Sequence, residues 1–374
     1  MKKLRASLIM FFLIIAVFAL FLYTNDSRVD NLITAQVINT NNEDVMQSSI
    51  ARIGKQELNI RILEGEFKDK EIFAHNGLQG KPSIDNFFKK GDKILVSLKT
   101  VEGEIKNVRA VDAYRHNYEL ILFALFVILL IIYAGHTGVK ALFSFVASLF
   151  IIWEFLVPGL LSGQNPLFLS TIVLVFLSAI IIFSIAGFSR KGIAAFLGTI
   201  TGLLVAVGIA IFFGNKMHLQ GMTAPYAETL LFSGHMNLKM KYIFYAAIVI
   251  GASGAAMDIA VDIADSMAEV KDKKADISFK ELLKSGFNVG RAVIGTMTTT
   301  LLLAYSGSYL PLLMLFYSKE TGYMRMMNYK VVAAEILRTV TGSIGLVLVA
   351  PITAFIAAWI FTYDPLSLKK MLKK

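Results

Sequence analysis

The chain contains no cysteine. Disulfides and thiolate metal sites are therefore excluded. Charge is scarce: Asp, Glu, Lys and Arg make up 17% of the 374 residues, against about 25% in soluble domains. Histidine is sparse as well. His75, His116, His136, His218 and His235 are scattered and never pair at i, i+4, so neither a metal site nor a cofactor is expected. What fills the chain is apolar, at 56% hydrophobic. Long apolar runs with few charges predict an all-α polytopic membrane bundle of about eight transmembrane helices. A small extracellular β-rich domain is expected between helices 1 and 2.

The formal net charge of +10 invites a nucleic-acid reading, but its distribution excludes one. Between residues 24 and 117 every Lys or Arg is matched by an Asp or Glu. The excess lies at the ends of the apolar runs, where it sets topology. The expected partner is the lipid bilayer, with no nucleic acid.

Residues 1–23 read as a membrane anchor. The apolar stretch 8–23 follows Lys2, Lys3 and Arg5 and has no small-x-small cleavage site after it, so it is expected to be retained. Residues 24–117 read as a β-rich domain. Short β-type runs at 33–38, 57–63, 71–75, 93–98 and 104–111 alternate with turn clusters such as Gly91-Asp92 and Glu102-Gly103. A small barrel or sandwich follows, with no catalytic constellation and no exposed aromatics for stacking. Residues 118–363 read as a seven-helix membrane domain, with spans near 118–134, 141–160, 166–187, 192–213, 241–263, 288–316 and 331–361. The last two exceed the ~20 residues needed to cross a bilayer. Ser306-Gly307-Ser308 and Pro311 interrupt one; Gly342, Gly345 and Pro351 interrupt the other. Such spans are tilted or kinked, or unwound around a substrate. Residues 364–374 are a basic tail.

Most Lys and Arg of the membrane part fall at one set of helix ends. The opposite loops carry only Lys216, Lys239, Lys241, Lys319, Arg325 and Lys330. The positive-inside rule places both termini in the cytoplasm and residues 24–117 outside the membrane.

Within 248–268, Gly251, Gly254, Ala255, Asp258, Asp262 and Asp265 recur at spacings of three and four. Small residues and carboxylates thus share one helix face. A charge inside a bilayer costs at least a few kcal/mol and usually marks a cavity or bundle interior. The alternative is the polar mouth of an ordinary helix end. Gly251 and Gly254 predict a neighbouring backbone packed on this face. Arg291, opening the next span, is the expected counter-charge of Asp258. Thr296, Thr298, Thr299 and Thr300 follow it. Their hydroxyls either satisfy their own helix or meet a cavity. Glu335 and Arg338, at i, i+3, are either a structural pair, or Arg338 pairs with Glu154 across helices and leaves Glu335 as a gate or ligand. Gly198 and Gly202 form a small-xxx-small packing pair, and Gly342 and Gly345 continue the Glu335–Arg338 face. Trp153 and Trp359 read as interface anchors.

Three segments carry a family resemblance: 251–263 (GASGAAMDIAVDI), 290–313 (GRAVIGTMTTTLLLAYSGSYLPLL) and 334–353 (AEILRTVTGSIGLVLVAPIT). With Gly91-Asp92-Lys93 and Val157-Pro158-Gly159 they resemble the YibE/F family of bacterial integral membrane proteins, over about residues 33–358. The resemblance covers Asp258, Thr296, Thr300, Tyr305, Pro311, Glu335 and Arg338 among other positions; the chain departs from the family pattern at Asp262 and Thr299. It implies a multi-pass membrane protein, with a paired YibE/F-type protein or a homo-oligomer as partner. It implies no reaction and no substrate. The readings that follow are a permease using Asp258 as coupling or substrate carboxylate, or a sensor or scaffold acting through its outer domain. An intramembrane enzyme is disfavoured, because Asp258 has no partner Asp in another span.

Overall fold

The computed structural model describes residues 32–101 and 104–363. The anchor at 8–23 and the tail at 364–374 lie outside the described residues. The chain divides at Gly135 into two compact units.

The first unit holds six strands: β1 (Leu32–Asn41), β2 (Val45–Ser48), β3 (Ala51–Ile62), β4 (Glu71–Gln79), β5 (Lys93–Val101) and β6 (Glu104–Ala113). Five were expected; the short hairpin strand β2 was not. Alternation builds the sheet, since Leu58, Ile60 and Ile62 turn inward while Lys55, Glu57 and Arg61 turn outward. The order is β1-β5-β6-β4-β3-β2, and β1 also pairs with β3, which closes a barrel. β1 serves both neighbours because a register irregularity between Val37 and Asn39 bends it. β4 and β6 meet in parallel. A three-strand meander closed through a parallel pair is the circuit of OB-fold-like Greek-key barrels.

The loop from β4 to β5 plugs this barrel with Phe88, which is buried. Gln56, fully buried, holds it there. Its amide donates to the Phe88 carbonyl at 2.8 Å and its oxygen accepts from the Phe88 N–H at 3.1 Å. Asn76 donates to the same Gln56 oxygen at 3.1 Å and to the Asn86 carbonyl at 2.6 Å. Two buried amides thus satisfy each other and the loop backbone.

The second unit is helical. α1 (His116–Ile151) starts in the first unit and is broken at Gly135, the boundary, where φ is 52° and ψ −123°. A π-helical turn, Ile152–Leu156, joins it to α2 (Val157–Leu161). Pro158 lacks an N–H and crowds the carbonyl a turn earlier. The turn ahead of it widens, and the Val157 N–H donates to the Ile152 carbonyl five residues back. There follow α3 (Pro166–Ala186), α4 (Arg190–Lys216), α5 (Ala227–Phe232), α6 (Met240–Lys273), α7 (Phe279–Ser308), α8 (Leu310–Ser318), α9 (Tyr323–Met327) and α10 (Lys330–Thr362). Asn165 caps α3 ahead of Pro166. Ser278 and Glu281 form a capping box at α7.

Among the described residues five helices are long and apolar enough to cross a membrane, with a sixth if α7 and α8 form one span. Of the about eight spans expected, seven fall on described residues, and the first, 8–23, lies outside them. The segments 118–134 and 141–160 fall in one run, His116–Leu161, and the non-helical Gly135 divides that run into two helices between them. The break expected near Ser306–Pro311 is present as a 68° bend between α7 and α8. Of the readings for the span with Gly342, Gly345 and Pro351, unwinding is not found: α10 runs through Pro351. Its glycines serve packing instead, with Gly345 against Ala206 and Gly342 between Ala252 and Leu301.

α6 is the central helix, packed against α3, α4, α7 and α10. α4 and α10 approach most closely. A Cβ on Gly198 would stand 2.1 Å from the Thr353 hydroxyl, and one on Gly202 2.3 Å from Val349, so no side chain fits at either position. Gly286 and Gly290 admit α7 in the same way, against Met267 and Ala354 and against Ile263 and Ala350.

Candidate functional site

Two polar clusters interrupt the apolar helical unit. The first runs along α6. Gly251, Gly254, Asp258, Asp262 and Asp265 are all exposed and share one helix face. The opposite faces of α6 are filled by Ala252, Ala256, Ile259, Ala260 and Ile263, all buried. The carboxylates therefore stand on an open strip of the bundle's central helix. The close packing expected on this strip is not what the structure shows. Nothing lies within 4 Å of a Cβ built on Gly254, and Gly251 meets only the Tyr305 side chain. The small residues leave room on the strip instead of admitting a backbone.

α7 runs antiparallel to α6, with Gly286 at Met267, Gly290 at Ile263 and Tyr305 at Gly251. That register sets Arg291 level with Asp262 and Gly295 level with Asp258. Arg291 turns to the other side of α7. It lines a cleft of about 290 Å³ with Phe287, Ile294, Val347, Ala350 and Pro351, against α10. The pairing of Arg291 with Asp258, expected because Arg291 opens the next span, is thus not formed. Among the described residues Asp258, Asp262 and Arg291 belong to no ion pair, whereas Asp265 bonds Lys191 of α4 at 2.9 Å. Thr296 and Thr300 are exposed and donate back to the carbonyls of Val293 at 3.0 Å and Thr296 at 3.2 Å. Their hydroxyl oxygens remain available as acceptors.

The second cluster sits near the start of α10. Arg338 pairs with Glu335 on its own helix at 3.2 Å, and the two side chains are only 18% and 15% exposed. The guanidinium lies 5.6 Å from the centre of the Phe244 ring, close enough for a cation–π contact. Its Nε is buried without a partner. Tyr305 and Tyr309 flank the pair. Tyr305, Ser306, Tyr309 and Glu335 form the polar wall of a cavity of about 310 Å³ whose other walls, including Leu302, Leu313 and Val340, are apolar. Glu154 is half-buried in the π-helical turn. The structure gives Arg338 to Glu335 and not to Glu154.

Sequence reasoning left Phe244 and Tyr309 unassigned. A tyrosine beside the proline that bends α7 into α8 is a usable signal for Tyr309. Phe244 carries none, since one apolar residue of a span resembles any other. Gly286, four before Gly290, was a legible small-xxx-small pair.

Two family models match the chain. One, described as "YibE/F-like protein", covers residues 122–363. The other, described as "YibE/F family N-terminal domain", covers residues 22–111. Comparison with curated proteins and with solved structures gave no match. The first of these models spans the helices that carry both polar clusters, the second spans the barrel, and the chain belongs to the YibE/F family.

Proposed function

We propose that this protein is a permease of the bacterial plasma membrane whose path follows the open strip of α6. One observation carries the reading: Asp258 and Asp262 are exposed on the helix that passes through the middle of the bundle. Carboxylates are not stable against lipid tails, so the strip borders water or a polar partner such as a second copy or a paired family member. Asp258, the deeper of the two, is the coupling or substrate carboxylate. Gly251 and Gly254 leave space beside it. Thr296 offers an oxygen near its level and Thr300 one about a turn further along α7, a donor set suited to a proton or a small hard cation. The Glu335–Arg338 pair stands toward the other end of the path and orders the bent α7–α8 junction. Both termini are assigned to the cytoplasm and the barrel to the outside, on the bias of Lys and Arg.

The cysteine-free chain suits a direct test. Single cysteines at Gly254, Asp258 and Thr296 should react with a small impermeant thiosulfonate in membranes, while one at buried Ala260 should not. Equal silence at all four positions would remove the aqueous path. A sensor or scaffold acting through the barrel is the second reading, and a groove on the barrel favours it.

A further inference from the structure

The outer wall of the barrel carries a groove of about 490 Å³ lined by Leu32, His75, Ser97, Lys99, Asn107, Arg109 and Val111. Register explains why these residues meet. Arg109 on β6 stands opposite Ser97 on β5 and beside His75 on β4, and Lys99 stands opposite Asn107. Residues directly opposite share a face. Between them Val96, Val108 and Ala110 point into the core. Three cationic or protonatable side chains thus converge on one concave patch with a serine and an asparagine. Among the described residues the ion pairs that involve the strands are Lys55–Glu57, Arg61–Glu71 and Asp112–Arg115. Lys99 and Arg109 are in none of them, so neither charge is paired within the barrel.

An aromatic platform adjoins this patch. Phe73 precedes His75 by two residues on β4 and therefore faces the same way. It is 80% exposed, a large apolar cost for a barrel that buries Phe88. No exposed aromatic was expected from the sequence. On the other side of His75, Gly77 presents no side chain, and a Cβ there would meet nothing within 4 Å. The face is therefore walled at Phe73 and open at Gly77, with the cations between.

We propose that this face binds an anionic oligosaccharide. A sugar ring lies on Phe73, its carboxylate, sulfate or phosphate bonds Lys99 and Arg109, and its hydroxyls meet Ser97 and Asn107. Flat aromatic surface beside convergent polar groups is the chemistry of such sites. A single nucleic-acid strand fits less well, because it requires a longer cationic track with several stacking aromatics, and Lys, Arg, Asp and Glu balance over residues 24–117. The assignment holds whether the helical unit is a permease or a scaffold.

The test uses the full chain in neutral phosphatidylcholine nanodiscs, titrated calorimetrically with hexagalacturonate, maltohexaose, inorganic phosphate and an oligothymidylate. Hexagalacturonate should bind at least about tenfold more tightly than maltohexaose or phosphate. Phe73→Ala and Arg109→Gln should each weaken it about tenfold, and Phe73→Tyr should restore it. Both positions are on the surface, and unchanged hydrogen exchange in β4 and β6 verifies the fold. Phosphate binding as tightly as the oligomer would reduce the groove to a simple anion site and overturn the proposal. Tighter binding of the oligothymidylate would overturn it in favour of nucleic acid. No binding of hexagalacturonate, or binding indifferent to Phe73→Ala, would also overturn it.

Discussion

Arg338 closes an ion pair with Glu335 one turn earlier on the same helix, at 3.2 Å, with Phe244 beneath its guanidinium. Both charges are largely buried, so each depends on the other. Arg338→Ala would leave an unpaired carboxylate in an apolar wall and should destabilise the helical unit by about 3 kcal/mol. The joint replacement of Glu335 by Gln and Arg338 by Met should recover much of that loss. Thermal unfolding in detergent measures both. A double variant no more stable than Arg338→Ala would show that the pair is not structural.

The Gln56 side chain does for Phe88 what a neighbouring strand does for a ladder residue, bonding both its N–H and its carbonyl. Gln56→Leu would strand two buried backbone groups and the Asn76 amide. About 2 kcal/mol of local stability should be lost. The readout is amide exchange of the 80–92 loop, which should accelerate while that of β5 changes less. Unaltered exchange in the loop would mean that Phe88 packing alone holds it.

The barrel also carries a pH signature. Burial, then Lys55 and Arg109, hold His75 below its ordinary 6.5. Glu57, opposite His75 on β3, is engaged with Lys55, and Lys99 lines the same groove. Below about 6.5 the unfolded chain binds the proton that the folded barrel resists, so stability falls as pH falls through that value. Asp112 behaves as a carboxylate does. Its partial burial is outweighed by bonds from Arg115, the Ala113 N–H and Asn86, which hold it below the usual range. Its contribution persists until more acid pH. Exchange of β4 amides, corrected for intrinsic rates, should show an acid loss near 6.5 that His75→Gln abolishes. Retention of that loss in His75→Gln would assign it elsewhere.

Topology has its own test. A cysteine at exposed Lys81 should react with an impermeant reagent in intact cells, and one at exposed Lys273 should not. The reverse pattern would invert the orientation.

Much of this architecture was legible in the sequence because it rests on local periodicity. Five strand positions, the apolar runs 166–187 and 192–213, the Ser306–Pro311 break and the i, i+3 spacing of Glu335 and Arg338 are all short-range patterns. What escaped depends on neighbours far along the chain. Barrel closure rests on β1 serving both β3 and β5. The direction of Arg291 rests on which side of α7 meets α10. Small residues at Gly198 and Gly254 look alike in sequence, yet one is pressed against Thr353 and the other faces open space. Helical spacing defines a face but does not say what covers it.

The decisive measurement is complementation of a deletion strain by Asp258→Asn, with protein abundance determined in the same cells. The substitution keeps the shape and removes the charge from the open strip of α6, so the variant should insert and accumulate normally yet fail to restore the phenotype. Asp265→Asn, at the Lys191 pair further along α6, should restore it. Full complementation by Asp258→Asn at normal abundance would contradict a charge-dependent path along α6.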